Sequence, residues 1–160
     1  MEEKAPPRSP EQNDLATLCA ALNAVNARYV VVGGMAIIQQ GYLRATEDID
    51  LLLERSRANQ NRVLKALEVL PDKSVKELTE TDLDEYLVVR VADEIVVDLM
   101  LSACGVTYDE VAGDIEIKVI EGVSIPFASA RMLLKMKQTY RDKHIPDRIF
   151  LEEKLREEAR

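Results

Sequence analysis

The sequence predicts an α/β to α+β domain, a mixed central β-sheet flanked by helices. Three observations carry that prediction. Short β-branched runs alternate with helical apolar spacing in the first half of the chain. Two closely spaced pairs of apolar runs, each joined by a few polar residues, follow in the second half. A length of 160 residues with 47% hydrophobic content suits one domain with a sizeable core.

The elements follow in order. Residues 1–8 are charged and proline-rich and read as a flexible N-terminal tail, and residues 9–160 as a single domain with C-terminal helices from about 128. Ser9 can cap a helix, Pro10 suits its first turn and Gln12 completes a capping box. A helix of about 10–27 is therefore expected, with Leu15, Leu18, Cys19, Leu22 and Val25 on its apolar face. Tyr29 to Val32 reads as a buried strand ended by Gly33-Gly34, and a short helix begins directly at the glycines. Ile49 to Leu53 is a second strand carrying Asp48 and Asp50, and Asn59 to Leu70 an amphipathic helix stopped by Pro71-Asp72. Tyr86 to Val91 and Ile95 to Met100 form a hairpin around Ala92-Asp93-Glu94; Ile115 to Ile120 and Val123 to Ile125 form another around Glu121-Gly122. Phe127 to Tyr140 and Pro146 to about Glu158 are the last helices.

Composition excludes several functions. The chain carries 21 basic and 29 acidic residues, a net charge of −8, with two Phe, five Tyr and no Trp. It lacks the positive field and stacking platforms that hold long nucleic acid. No apolar run reaches the roughly 18–20 residues that span a bilayer, and the first residues lack the apolar segment of a signal peptide. Two separated cysteines, Cys19 and Cys104, and one histidine, His144, do not make a zinc site. They read as reduced, buried thiols, and the expected location is cytoplasmic.

The informative residues are Asp48, Asp50 and Asp98, because aspartate is depleted in strands. Asp48 and Asp50 project from one face of their strand about 6–7 Å apart along the chain, while Ile49, Leu51 and Leu53 face the core. Asp98 lies opposite Val97, Leu99 and Leu101. Converging carboxylates repel one another and are costly to desolvate without a counter-charge. A divalent cation supplies one, and an all-oxygen set suits Mg²⁺ or Mn²⁺. The bland alternative is three aspartates at solvated strand ends.

Gly33-Gly34 offers backbone N–H groups at a helix start, where a phosphate can approach closely. Neither a Walker loop nor a dinucleotide fingerprint fits, and alone the pair could be just a tight turn. Combined with the aspartates it says more. Val31-Val32-Gly33-Gly34 followed by Arg44-Ala45-Thr46-Glu47-Asp48-Ile49-Asp50-Leu51, with Asp98 on a later strand, resembles the DNA polymerase β-like nucleotidyltransferase superfamily. The Arg-x-Thr-x-Asp-x-Asp spelling is most similar to its small bacterial members, the minimal nucleotidyltransferases and the AbiEii-related toxin–antitoxin group. Ile125-Pro126-Phe127-Ala128-Ser129, a helix with Lys137, and the Arg141-Asp142-Lys143 and Asp147-Arg148 segments resemble that family's C-terminal element.

The resemblance implies the polymerase β-like fold and transfer of a nucleoside monophosphate from an NTP such as ATP to an acceptor hydroxyl, releasing pyrophosphate. It implies two Mg²⁺ ions (Mn²⁺ as a substitute), about 3.5–4 Å apart, bridged by Asp48 and Asp50, with Asp98 on the ion that activates the acceptor oxygen. Gly33 and Gly34 would cradle phosphates, and Lys137, then Arg44, would neutralise them, with Thr46 beside them. Plainer readings remain: Arg44 and Thr46 order the loop before Asp48, and Lys135 and Lys137 are solvated beside the apolar stripe of Met132, Leu133, Met136 and Tyr140. His144 reads as a surface residue. Expected partners are an NTP and a protein or small-molecule acceptor; a tRNA end would need a patch from Lys135, Lys137, Arg141, Lys143 and Arg148. The competing reading is a binding module or antitoxin that acts on a cognate toxin or antitoxin protein without turnover. A chain this short also makes a homodimer plausible.

Overall fold

A computed structural model of the chain describes residues 5–137 and 144–159. Six strands form one sheet: β1 (Tyr29–Val32), β2 (Asp48–Leu53), β3 (Val89–Ala92), β4 (Val96–Met100), β7 (Ile115–Ile120) and β8 (Val123–Ala128), in the order β3-β4-β2-β1-β8-β7. The short strands β5 (Ser102–Ala103) and β6 (Val106–Thr107) form a separate two-stranded ribbon. Strand direction is mixed, as expected: β2 runs antiparallel to β1 and parallel to β4, while β1 and β8 are parallel. Both predicted hairpins are present, β3 with β4 and β7 with β8.

The core lies where β-branched and leucine side chains cannot avoid burial. Val30, Val31, Val32, Ile49, Leu51, Leu52, Leu53, Val97 and Leu99 are all at most 2% exposed, so the centre of the sheet is covered on both sides. Helix α1 (Gln12–Ala24) packs on β8 and on α3 (Arg57–Ala66). Helix α2 (Gly33–Gln39) packs on β2 and on α6 (Ala130–Met136), which meets α7 (Ile145–Glu158). The single-turn helices α4 (Asp82–Glu85) and α5 (Tyr108–Val111) escaped the sequence reading because one turn has no periodicity to detect.

Several expectations are corrected. The first helix begins at Gln12 rather than near Pro10; Glu11 occupies the cap, and its N–H donates to Asp14 Oδ2 at 2.7 Å. Asp14 is in turn held by Arg8, whose backbone N–H also donates to Glu94 O at 3.0 Å. Arg8 therefore links the start of α1 to the β3–β4 hairpin. The helix expected from Phe127 starts at Ala130. Phe127 is instead fully buried in β8, between β7 and its neighbour β1, where Val31 is its register partner. Ser129 makes the switch, its Oγ accepting from Met132 N at 3.2 Å. Tyr86, Leu87 and Val88 lie before β3 and are exposed, rather than part of it. Cys104 is exposed, at φ +49° in the β5–β6 turn, while Cys19 is buried, which pushes its thiol up to about 12.

Candidate active site

One row of residues crosses four adjacent strands. Arg90 on β3 pairs with Asp98 on β4, Asp98 with Asp50 on β2, and Asp50 with Val32 on β1. Cross-strand partners share a face, so two carboxylates and a guanidinium are set side by side. Asp48, two residues before Asp50 on the same strand, shares that face. The result is a triad in which one carboxylate oxygen each from Asp48, Asp50 and Asp98 lies within 4.8 Å of the others. The Asp48 and Asp50 oxygens are thus closer than the about 6–7 Å of chain rise between the two residues, and β2–β4 register brings Asp98 to them.

The triad is short of positive charge. Burial, then the charges of Asp48 and Asp98, push the Asp50 carboxyl up to about 8, although Lys137 pulls the other way. Burial, and next the charge of Asp98, raise Asp48 as well. The donor set is all oxygen and in excess negative charge, which is the chemistry that holds a hard divalent cation. The residues therefore fit such an ion. Among the described residues, the nearest protein counter-charge is Arg90, whose Nε and Nη2 donate to Asp98 Oδ1 and Oδ2 at 2.9 Å each. Its Nη2 also lies 3.3 Å from Asp48 Oδ2.

The glycines make room for this arrangement. Gly33 has φ +68°, and a Cβ there would stand 1.9 Å from Asp50 Oδ2. A Cβ on Gly34 would stand 2.5 Å from Thr46 Oγ1 and 3.3 Å from Arg44 Nη2. Thr46 donates from Oγ1 to Asp48 O at 3.1 Å, which fixes the backbone entering β2.

The triad opens onto a cavity of about 640 Å³. Of the residues expected to hold metal or nucleotide, all except Gly33 line it: Gly34, Arg44, Thr46, Asp48, Asp50, Asp98 and Lys137. Gly33 sits behind Asp50, so its first role is to accept that carboxylate. Lys137 is not solvated; its side chain is 12% exposed, with Nζ 3.4 Å from Asp147 Oδ2. Arg44 joins it, with Nη2 donating to Asp147 Oδ2 at 3.0 Å and Nε 3.0 Å from Oδ1. His144 also lines the cavity and is half-buried rather than a plain surface residue. Lys135 is exposed and turned from Lys137 by its place on α6. Arg141 and Lys143 of the basic patch, and Tyr140 of the apolar stripe, fall outside the described residues.

Two residues were missed as site members. Asp147 is 2% exposed on the first turn of α7, one helical turn before buried Leu151. An acidic residue on an apolar stripe was the available signal, since a buried carboxylate demands cations. Arg90 was hidden by turn register: a loop centred on Asp93 would place it opposite Val96, whereas the observed loop places it opposite Asp98.

Comparison with known proteins agrees with this geometry. A family model described as aminoglycoside-2''-adenylyltransferase matches residues 14–149. No curated protein matches. Among solved structures, a nucleotidyltransferase-assigned protein of Thermotoga maritima superposes with a TM-score of 0.53 at 15% identity, covering 92% of this chain and 91% of the other. An antigenic nucleotidyltransferase-like protein from Paracoccidioides brasiliensis gives 0.51 at 18% identity, covering 92% of this chain and 78% of its own. These two likenesses establish a shared fold, and the family match spans most of the chain. The chain belongs to the aminoglycoside-2''-adenylyltransferase family, and with it to the polymerase β-like nucleotidyltransferases.

Proposed function

We propose that this protein transfers a nucleoside monophosphate from an NTP to a hydroxyl of a small, polar, amine-bearing acceptor, with release of pyrophosphate. The observation that carries this reading is the triad: three carboxylates on adjacent strands, oxygens within 4.8 Å, facing a cavity also lined by Arg44 and Lys137. The acceptor class rests on the family's name and on the net charge of −8, which favours a cationic partner over a polyanion.

In the proposed reaction the acceptor oxygen bonds to the α-phosphorus as the bond to the pyrophosphate oxygen breaks. Asp48, Asp50 and Asp98 would hold Mg²⁺, two ions in the full complex, with Mn²⁺ as a substitute. When bound, the ions supply charge neutralisation at the phosphates and lower the barrier to losing the acceptor proton. A carboxylate oxygen of Asp98 receives that proton. Lys137 and Arg44, oriented by Asp147, meet the negative charge of the departing pyrophosphate. Gly34 keeps the wall beside them free of a side chain, and Thr46 holds the strand entrance that aims Asp48. Fixed positive groups of this kind act without reorganising as charge develops.

The experiment is incubation with labelled NTPs, Mg²⁺ and a panel of acceptors that includes aminoglycosides, small sugars and proteins. Label is expected on an amine-bearing small acceptor and lost in Asp48→Asn. Label transfer that survives Asp48→Asn would rule out this site.

A further inference from the structure

The triad already holds a cation, and it belongs to the protein. We propose that Arg90 is a latch that closes the metal-free triad and must release Asp98 before a divalent ion can use that carboxylate. The inference rests on the metal-site reading above and adds to it an order of events and a residue that sets ion affinity.

Three observations support it. First, Arg90 engages both oxygens of Asp98 at 2.9 Å and reaches Asp48 Oδ2 at 3.3 Å, so one guanidinium faces two of the three proposed ligands. A planar fork on a carboxylate is a strong, oriented pairing. Second, the two partners differ in freedom. The Asp98 side chain is 8% exposed and fixed in β4, between β2 and β3. The Arg90 side chain is 61% exposed on β3, the edge strand, so Arg90 can leave and Asp98 cannot. Third, Arg90 has somewhere to go. It lines the main cavity and also an adjoining one of about 390 Å³ bounded by Pro7, Arg8, Ser9, Glu47 and Ala92, where the Glu47 carboxylate offers a partner and Arg8 is already paired with Asp14.

The consequence is a competition. A guanidinium 2.9 Å from both Asp98 oxygens repels any cation brought to the same atoms. Ion binding must therefore displace the fork, and the measured affinity is lowered by the free energy of the pairing it breaks.

The experiment measures Mn²⁺ binding to the whole protein by calorimetry, without nucleotide, in wild type, Arg90→Ala, Arg90→Gln and Asp48→Asn. Circular dichroism confirms folding of each. Arg90→Ala and Arg90→Gln are expected to bind Mn²⁺ about fivefold to twentyfold more tightly than wild type, the range for losing an oriented ion pair at a partly exposed site. In parallel, the Arg90 Nε–H resonance of wild type is followed during Mg²⁺ titration. It is expected to be protected from solvent exchange in the metal-free protein and to lose that protection at saturation. Equal or weaker Mn²⁺ affinity in both Arg90 variants, or an Arg90 Nε–H that stays protected at saturating Mg²⁺, overturns the latch while leaving the metal site standing. If wild type and Arg90 variants bind no better than Asp48→Asn, the metal-site reading falls and the latch falls with it.

Discussion

Replacing Asp50 by asparagine should make the metal-free protein more stable while removing its response to divalent ions. In the folded chain the Asp50 carboxyl is pushed up to about 8, by burial first and then by Asp48 and Asp98, whereas the unfolded chain titrates near the ordinary aspartate value of about 3.9. The sign follows. Between those values the folded state holds more protons than the unfolded one, so this residue's contribution falls as pH rises and is fully unfavourable above about 8. At about 1.4 kcal/mol per pH unit the gap sets a ceiling of roughly 6 kcal/mol. Asp48 and Asp98 share the repulsion and Lys137 offsets part of it, so Asp50→Asn, which keeps the shape and cannot ionise, should gain about 2–3 kcal/mol at pH 8. For a domain of this size that is an increase in Tm of about 4–10 °C. The assay is scanning calorimetry in EDTA at pH 8 and pH 5.5. The gain should be largest at pH 8 and shrink at pH 5.5, and added Mg²⁺ should raise Tm in wild type only. An Asp50→Asn protein less stable than wild type at pH 8 in EDTA would refute the account of the triad as a site of uncompensated charge.

Other outcomes follow from particular contacts. Asp147→Asn leaves Arg44 and Lys137 without their shared anion and should cost about 2–3 kcal/mol in urea unfolding, with NTP binding weakened about tenfold or more. Gly33→Ala places a Cβ 1.9 Å from Asp50 Oδ2 at positive φ, so it should lower Tm by several degrees and abolish the Mg²⁺-induced thermal shift. Burial raises the Asp93 carboxyl, but N–H donors from Ser74, Asp72 and Glu94 outweigh that and hold it below the ordinary value. Its contribution is present above about pH 4 and lost as pH falls further, so Asp93→Ala should cost about 2–3 kcal/mol at pH 7 and progressively less in acid, as read by chemical denaturation.

How much of this was legible in the sequence depended on whether the signal was local. The strand–Gly-Gly–helix passage and the Asp48–Asp50 pair were readable because residue spacing alone fixes a face and a turn. Asp98 could be set on a strand opposite its apolar neighbours, but its distance from Asp50 came from parallel β2–β4 pairing, which no local pattern encodes. Phe127 shows the same limit. Its run looks helical when read forward into Met132 and Leu133, yet two strand neighbours claim it. Arg90 was illegible for a related reason, since its partner Asp98 is set by turn register, while Asp147 offered only the local sign of an acidic residue on an apolar stripe and not its partner Arg44.

The position of Asp147 on α7 has a consequence for how the protein is made. Translation delivers Asp48, Asp50 and Asp98 first, and only after a further stretch of chain does the ribosome release the helix that steadies Arg44 and Lys137. A nascent polypeptide thus owns its acidic cluster before it owns the anchor for its cations. Any premature stop ahead of α7 would leave Arg44 and Lys137 without Asp147, the carboxylate they share.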